Sequence, residues 1–330
     1  MTEIKTDSVS NPSITVIIAL YKGEETMERM ITCVLNQTFQ DFEIILVDDG
    51  SPDRSGEIAD QYASVDSRIR VIHKKNEGLA MARNDALAIA RGEYSIQFDQ
   101  DDWVDNSCLK ELYVAAKQQD ADMVICDYFH NDKYKQTYTT QKPSGLDHFS
   151  VLEDILLGKL FGYCWNKLIR TSIYHTFNIK YPKEFYGCED QYGMCQILKN
   201  NIKVVYLAKA FYHYVFADNT LSRHYDNNTF NNDLVCRDMF AKLLADTPFG
   251  ELAYQMKTSA LVSRAFLFGK NTYSSKQFRS KFSIYRNSYS ATLTARLFYR
   301  LALLNYHFSR NMFAFLYSIK QLYKKILSYK

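Results

Sequence analysis

The stretch YSIQFDQDD, residues 94–102, decides the fold because it joins a buried strand to a cluster of carboxylates. Residues 94–98 are mostly apolar or aromatic and predict a strand. Side chains two positions apart on an extended chain point the same way, so Asp99 and Asp101 are expected to face one ligand together. Mg²⁺ and Mn²⁺ accept one or two protein carboxylates together with phosphate oxygens, which makes this a candidate metal and diphosphate site. The alternative is a solvated acidic turn.

Strands and helices alternate on both sides of this stretch. Apolar runs predict strands at residues 14–18, 42–47, 69–72 and 123–126, and helical spacing predicts helices at 24–36, 55–64, 79–90 and 108–118. This order is typical of right-handed βαβ units, so we predict an α/β fold with a Rossmann-like, mostly parallel sheet flanked by helices. Ligands of such sheets bind beyond the carboxyl ends of the strands.

A second acidic motif, VDDGS at residues 47–51, ends the neighbouring predicted strand. Gly50 supplies a turn, and the carboxylate of Asp48 or Asp49 is suited to accept hydrogen bonds from a base or from ribose hydroxyls. An ordinary Asp-Gly turn followed by a serine helix cap is the alternative.

The composition is that of an ordinary globular protein. Of 330 residues, 47% are hydrophobic and 23% charged, which suits one large domain or two ordinary ones. The seven cysteines include no CxxC pair, which predicts reduced thiols and a cytoplasmic location. Residues 1–13 lack the apolar segment of a signal peptide, and no uncharged apolar stretch is long enough to predict a membrane-spanning helix.

Charge is distributed unevenly along the chain. After Glu251 there are 14 Lys and Arg residues and no Asp or Glu, whereas residues 1–251 carry a net charge of −11. Apolar residues between Met312 and Leu327 recur at helical spacing. We therefore expect basic helices that contact the inner face of an anionic membrane peripherally, with packing in a homo-oligomer as the alternative. No nucleic-acid-binding module is recognised, so nucleic acid is not an expected partner.

Taken in order, the motifs resemble glycosyltransferase family 2, which has the GT-A fold. The matching segments are Tyr21 after the first strand, LNQTF at 35–39, VDDGS at 47–51, NEGLAMARN at 76–84, GEY at 92–94 and DQDD at 99–102. The resemblance covers residues 13–130 well and 160–225 loosely, and it is to bacterial enzymes of polysaccharide and teichoic-acid synthesis. We expect a disordered N-terminus (1–12), a GT-A catalytic domain (13–225) and a basic helical C-terminal region (226–330).

The resemblance implies a site for a UDP-sugar donor. Tyr21 is similar to the aromatic residue that stacks on uracil, and Asp49 to the carboxylate that recognises the base. The implied donor-binding set is Ala19, Tyr21, Asp48, Asp49, Arg83, Asn84, Asp99, Gln100 and Arg223. Within this set Arg83 and Asn84 resemble the pair that shapes the nucleotide-sugar pocket. Ala19 and Lys22 stand where the family usually has Pro and Asn, a departure that concerns details of donor geometry.

Metal binding and leaving-group stabilisation are implied in the same way. Asp101 is similar to the residue that binds Mn²⁺ or Mg²⁺, and Asp99 to the acid on the ribose side. His213 is expected as a further metal ligand, with packing among aromatic residues as the alternative. Arg223 resembles the arginine of a mobile loop that closes on the pyrophosphate and stabilises its charge.

The acceptor side is implied by two later segments. Glu189 and Asp190, in GCED at 187–190, resemble the family's catalytic acids. Asp190 is the expected general base that takes the proton of an acceptor hydroxyl, and Glu189 orients the acceptor. The alternative is an acid pair favoured by the dipole at a helix N-terminus. Trp165 and Asp102 are expected beside the acceptor, with burial of Trp165 in the core as the alternative.

The implied function is that of an inverting, metal-dependent glycosyltransferase that moves a sugar from a UDP-sugar to a glycan, lipid-linked or polymer acceptor in cell-surface polysaccharide synthesis. A nucleotidyltransferase for sugar phosphates is one alternative, but it would normally carry a Gly-rich basic loop where this chain has ALYKGE at 19–24. A catalytically inactive sugar-binding subunit on the same scaffold is the other alternative. The intact acids at 99, 101, 189 and 190 argue against it.

Overall fold

The computed structural model of the protein describes residues 11–185, 187–216, 227–268, 273–283 and 293–327. The chain divides into two compact units, residues 1–220 and residues 221–330, and each has a hydrophobic core of its own. The predicted disordered segment at residues 1–12 falls almost entirely outside the described residues. That segment and the predicted domain boundary after residue 225 stay predictions.

The first unit contains a nine-stranded sheet. Its strands are β1 (Ile14–Leu20), β2 (Phe42–Asp48), β3 (Ile69–His73), β4 (Tyr94–Asp99), β5 (Trp103–Val104), β6 (Met123–Asn131), β7 (Gln136–Thr139), β8 (Lys167–Arg170) and β9 (Val204–Val215). The order across the sheet is β3–β2–β1–β4–β8–β6–β9–β5, and β7 pairs with β6.

Seven helices accompany this sheet in the part of the first unit that the structure describes. They are α1 (Met27–Leu35), α2 (Ser55–Val65), α3 (Leu79–Ile89), α4 (Cys108–Gln119), α5 (His148–Leu156), α6 (Ser172–Thr176) and α7 (Glu189–Leu198). The four helices predicted from spacing are confirmed. The first of them begins later than predicted, because the N–H groups of Thr26 and Met27 both donate to the Gly23 carbonyl and form a turn there.

The strands that carry the acidic motifs are parallel neighbours. β1 pairs in parallel with β2 and β4, and β2 pairs in parallel with β3. In this register Leu20 lies opposite Asp48, and Ala19 lies opposite Asp99. The carboxyl ends of β1, β2 and β4 therefore meet at one edge of the sheet, as the sequence predicts. Every residue of β2 is buried, which is typical of a parallel sheet covered on both faces.

The rest of the sheet departs from the prediction of a mostly parallel arrangement. β8 is antiparallel to both β4 and β6, β5 is antiparallel to β9, and β7 is antiparallel to β6, whereas β6 and β9 are parallel. Among the described residues the pairings are therefore equally divided between the two directions. Strands β5, β7 and β8 have four residues or fewer, and such short strands show no reliable alternation of apolar and polar residues.

The second unit is helical where it is described. Its helices are α8 (Asn227–Leu243), α9 (Gly250–Phe268), α10 (Ser275–Phe282), α11 (Leu293–Leu304) and α12 (Tyr306–Leu327). Its core is rich in aromatic residues such as Phe266, Phe278 and Tyr299. The predicted helical C-terminal region is therefore confirmed. Among the described helices, none combines the length and the apolar character needed to cross a membrane.

Candidate active site

The ends of β1 and β4 are joined by one side chain. The Tyr21 backbone N–H donates to Gln100 Oε1 (3.1 Å), and Gln100 Nε2 donates to the Tyr21 carbonyl oxygen (2.8 Å). The Tyr21 side chain is 37% exposed, and Lys22 Nζ lies 5.3 Å from the centroid of its ring. The predicted stacking surface is thus accessible at the carboxyl edge of the sheet, and Gln100 fixes its backbone.

Asp49 connects the VDDGS turn to the loop that precedes α3. Its two carboxylate oxygens accept the backbone N–H groups of Glu77 (2.9 Å) and Gly78 (2.8 Å). Each carboxylate oxygen has a further lone pair, so Asp49 retains acceptor capacity for a ligand. Asp49 therefore joins the VDDGS motif at 47–51 to the NEGLAMARN segment at 76–84.

Asp48 mainly stabilises the turn at residues 48–51. Its Oδ1 accepts the Ser51 N–H (2.9 Å), and its Oδ2 lies 3.2 Å from His73 Nδ1. Hydrogen bonds to Asp60 and then to Asp48 raise the pKa of His73. Gly50 has φ +67°, and a Cβ at this position would lie 2.7 Å from the Asn76 nitrogen, so the turn requires glycine.

Arg83 is the centre of the candidate site. It belongs to α3, is 3% exposed, and its guanidinium contacts three carboxylates that are distant in sequence. Nη2 lies 3.1 Å from Asp99 Oδ1, Nη1 lies 3.3 Å from Glu189 Oε1, and Nη1 also pairs with Asp190 Oδ1. Four residues that the motifs singled out, at positions 83, 99, 189 and 190, are therefore in contact.

Among the described residues, the carboxylates of this cluster outnumber its cation, Arg83. Burial raises the pKa of Asp99 to about 7, repulsion from Asp190 and Asp101 adds to the rise, and attraction to Arg83 opposes it. Burial and then repulsion from Asp190 raise the pKa of Glu189. Burial alone would lower the pKa of Arg83, but attraction to Asp190 and the other acids raises it well above its ordinary value. A further cation at this place would relieve the repulsion between the acids.

The oxygen donors at this edge fit a divalent cation that arrives with a diphosphate. Asp101 is half-buried, and burial raises the pKa of its carboxyl. Within the described ranges, no three His, Cys, Asp or Glu side chains form a ready-made metal centre. Mg²⁺ and Mn²⁺ at phosphate sites need only one or two carboxylates, because phosphate oxygens and water supply the other ligands. Asp99 and Asp101 are sufficient for that mode of binding.

Asn84 acts through a backbone contact. Its Nδ2 donates to the Tyr181 carbonyl oxygen (2.7 Å), and its Oδ1 accepts the Tyr181 N–H (2.9 Å). The Tyr181 side chain is buried, and the centroid of its ring lies 5.9 Å from the Arg83 guanidinium carbon. Asn84 therefore shapes the surroundings of Arg83 by fixing the segment that precedes α7.

Lys167 is a residue of this site that sequence reasoning missed. It is 1% exposed, and Nζ donates to the carbonyl oxygens of Phe161 (3.0 Å) and Tyr163 (2.7 Å) and to Asn166 Oδ1 (2.7 Å). Burial lowers its pKa to about 8. The ammonium group thus organises the loop before β8 by its contacts with three oxygens.

This loop reaches the expected base. The Cys164 backbone N–H approaches Asp190 Oδ2 at 3.4 Å, while Arg83 holds the other oxygen of the same carboxylate. The segment YCWNKL at 163–168 resembles a family segment beside the acceptor pocket, but the sequence prediction assigned a role to Trp165 alone. The sequence signal for Lys167 was its place in this segment, between Asn166 and Leu168 at the start of a strand.

Trp165 and Asp102 lie in the interior. Trp165 is 2% exposed and stacks on Tyr212, with ring centroids 4.4 Å apart. Asp102 is 1% exposed and accepts the Tyr212 hydroxyl (2.6 Å) and the Val215 N–H (2.7 Å). Burial raises the pKa of Asp102 to about 8. The geometry favours the packing alternative for Trp165 and gives Asp102 a structural partner in place of an acceptor.

Tyr212 is a second residue that sequence reasoning missed. Its hydroxyl donates to Asp102 and accepts the Asp99 backbone N–H (3.2 Å), so it joins β9 to the end of β4. The aromatic run at 211–214 drew attention only to His213. Because neighbouring side chains of a strand point to opposite faces, Tyr212 faces Asp99 and Asp102, whereas His213 Nε2 lies 3.4 Å from Asp105 Oδ1.

His213 is packed between aromatic rings. The ring centroids of Trp103 and Phe129 lie 3.3 Å and 4.6 Å from that of His213. Its Nδ1 lies 3.0 Å from Gln136 Nε2, and burial lowers its pKa. This placement favours the packing alternative over a metal-binding role. Arg223 lies outside the described residues, so its expected contact with pyrophosphate stays a prediction.

Comparison with known proteins agrees with this geometry. Residues 15–177 match the family model described as glycosyl transferase family 2. "Putative glycosyltransferase EpsH" of Bacillus subtilis (strain 168) is 29% identical over 249 residues, which cover 72% of this chain and 71% of that protein.

Solved structures share the fold over most of the chain. S. aureus TarS 1-349 in complex with UDP-GlcNAc has a TM-score of 0.67 at 18% identity, and the match covers 93% of this chain and 92% of that one. The mannosyltransferase PcManGT from Pyrobaculum calidifontis, in complex with GDP-Man and Mn²⁺, has a TM-score of 0.53 at 16% identity and covers 90% and 87%. These neighbours confirm the GT-A fold, and with the family model and the glycosyltransferase relatives they show that this chain is a glycosyltransferase that belongs to glycosyl transferase family 2.

Proposed function

We propose that the chain is an inverting, metal-dependent transferase that moves a sugar from a UDP-sugar to a hydroxyl group of a glycan, lipid-linked or polymer acceptor in cell-surface polysaccharide synthesis. The observation that carries the proposal is the convergence of Asp99, Glu189 and Asp190 on the buried Arg83, at the carboxyl edge of parallel strands. The UDP-GlcNAc named for TarS supports a uridine nucleotide as the donor.

The donor binds across the ends of β1, β2 and β4 in this proposal. The uracil lies on the exposed ring of Tyr21, and Asp49 accepts a hydrogen bond from the base. Asp99 lies on the ribose side. Gln100 and Asn84 contribute indirectly, because each holds a backbone segment that lines the site.

Asp101, with Asp99 beside it, would hold Mn²⁺ or Mg²⁺ together with the diphosphate. When bound, the cation supplies electrostatic stabilisation for the charge that develops on the departing UDP. The Mn²⁺ named for the mannosyltransferase neighbour supports this assignment. So does the raised pKa of Asp99, which burial and then repulsion from neighbouring acids cause, because a bound cation would relieve that repulsion.

Asp190 acts as the general base. Arg83 and the Cys164 N–H orient its carboxylate, and Glu189 next to it orients the acceptor. As the acceptor oxygen bonds to the anomeric carbon, its proton passes to Asp190. The bond from that carbon to the UDP oxygen breaks on the opposite face, so the anomeric configuration inverts.

Donor class is tested by thermal shift with UDP-, GDP- and dTDP-sugars, with and without Mn²⁺. A ligand that binds only the folded state raises its apparent stability by mass action. UDP-sugars with Mn²⁺ are expected to give the largest shift, and sugar transfer to an acceptor should follow with the same donor. An equal shift by all three nucleotides, or a larger one by GDP-sugars, would contradict the uridine assignment.

The base is tested by comparing Asp190→Asn with Glu189→Gln, two neutral replacements of neighbouring acids. Loss of a general base typically lowers the rate by about 10²–10⁴-fold. Asp190→Asn should lower kcat by that amount while UDP binding persists, whereas Glu189→Gln should mainly raise the KM for acceptor. If Asp190→Asn turns over like the wild type with UDP bound, the base assignment is wrong.

A further inference from the structure

Helices α11 and α12 expose a row of large apolar side chains. Phe308 is 60% exposed and Phe315 is 65% exposed, although phenylalanine is among the residues most often buried. The exposed set comprises Leu293, Leu297, Leu304, Phe308, Phe315, Leu316 and Ile319. Isolated exposed apolar residues are common, but several of them on two helices that pack against each other are typical of an interaction surface.

The exposed residues of α12 are distinct from those that pack inside the second unit. Tyr306 and Ser309 are fully buried, and Phe313 packs against the core of that unit. Phe308 and Phe315 are seven positions apart, so they share one side of a helix with 3.6 residues per turn, and it is a different side from that of Phe313. The unit therefore builds its core without the exposed side of α12.

Positive charge accompanies this apolar surface. Arg296 and Arg300 are exposed on α11, spaced so that they lie beside Leu293, Leu297 and Leu304 on the same helix. The whole stretch after Glu251 contains 14 basic and no acidic residues. Two copies of such a surface would repel each other through their like charges, which disfavours self-association through it.

From these observations we infer that the surface formed by the exposed residues of α11 and α12 docks on an anionic lipid bilayer. The leucine and phenylalanine side chains enter the boundary between headgroups and acyl chains, and the two arginines contact lipid phosphates. Nucleic acid could pair with the two arginines, but it would leave the exposed leucine and phenylalanine side chains in water. This inference goes beyond the transfer reaction, because it assigns a membrane-docking surface to the helical unit.

The test is co-sedimentation of the full chain with phosphatidylcholine vesicles that contain or lack phosphatidylglycerol. Binding should require phosphatidylglycerol and weaken as salt is added, because exposed charges are screened. Phe308→Ser with Phe315→Ser should lower the partition coefficient at least about tenfold, from the apolar burial that is lost. Arg296→Gln with Arg300→Gln should lower it roughly fivefold for each charge.

Val65→Ser is the matched control, since Val65 is an exposed apolar residue (80%) on α2 of the first unit, and its replacement should leave vesicle binding unchanged. Equal binding to both kinds of vesicle would overturn the inference. So would wild-type binding by the double phenylalanine variant. A chain that ignores vesicles but self-associates by light scattering, with the same variants breaking the association, would identify a second copy as the occupant. Circular dichroism and thermal unfolding of every variant check that the helical unit, which carries the phenylalanine and arginine substitutions, remains folded.

Discussion

Asp99 is the residue whose protonation should govern donor binding. Its pKa is raised to about 7 from an ordinary value of 3.8, first by burial and then by the neighbouring acids. In the free protein a raised carboxyl pKa favours the folded state below the ordinary value, and this contribution is lost as the pH rises to about 7. A cation, in contrast, requires the ionised carboxylate, so its binding must release the proton.

We therefore expect the affinity for UDP with Mn²⁺ to rise by up to about tenfold per pH unit below the pKa of Asp99, and to level off above it. Isothermal titration in two buffers of different ionisation enthalpy measures both the affinity and the protons released. UDP titrated without Mn²⁺ is the control and should show a weaker dependence on pH. An affinity that is constant through neutral pH, with no proton release, would show that Asp99 is not coupled to the cation.

The sequence predicted which residues belong to the active site better than it predicted the residues that each of them contacts. Arg83 was expected to shape the donor pocket, but its ion pairs with Glu189 and Asp190 join positions more than a hundred residues apart. Such a contact has no local sequence pattern. Lys167 shows the same limit, because its three oxygen partners depend on how one loop folds around the ammonium group.

At the scale of strands, the Tyr212 hydroxyl holds β9, β4 and the buried Asp102 together. Tyr212→Phe would leave the Asp102 carboxyl with one donor fewer and the Asp99 N–H without its acceptor. Unsatisfied buried polar groups cost about 1–3 kcal/mol each. Because Asp99 belongs to the donor site, the variant should lose stability and also raise the KM for the donor.

Tyr94→Phe provides the comparison for this variant. Tyr94 lies at the other end of β4, is fully buried, and its hydroxyl donates to the Ala121 carbonyl oxygen (2.9 Å). Tyr94→Phe leaves one buried carbonyl oxygen without its donor, so it should lose about 1–3 kcal/mol of stability in denaturant titration, with the KM for the donor unchanged. Equal effects of both variants on KM would mean that the Tyr212 hydroxyl does not position the donor site.

The elements themselves were predictable in one half of the sheet. β1 to β4 and the helices between them follow from apolar patterning, because β1, β2 and β4 are almost entirely buried, β3 is a compact β-branched run, and the helices bury one side. β9 was missed because its aromatic and polar residues lack clean alternation, and its pairing with β6 is interrupted by register shifts near Asp127. The placement of His213 and Trp165 depends on these strands, which is why packing could not be distinguished from ligand contact.

At the scale of the whole chain, the two units differ in charge, and each has its own hydrophobic core. The catalytic unit contains the site acids and its own core, and the helical unit contains the basic stretch and an aromatic core around Phe266 and Phe278. The motifs identified the catalytic half in detail. They carried no information about the helical half, where only the charge and the helical spacing could be interpreted.

Because each unit has its own hydrophobic core, we expect the two units to unfold independently. We expect scanning calorimetry to resolve two transitions, of which only that of the catalytic unit rises when UDP and Mn²⁺ are added. At about 100 times the Kd the ligand contributes roughly 2.7 kcal/mol, which for a unit of this size corresponds to a shift of about 5–10 °C. Leu46→Ala in the first core and Phe282→Ala in the second, both fully buried positions, should each lower one transition alone. A single transition that responds to the ligand and to both substitutions would show that the two units unfold as one.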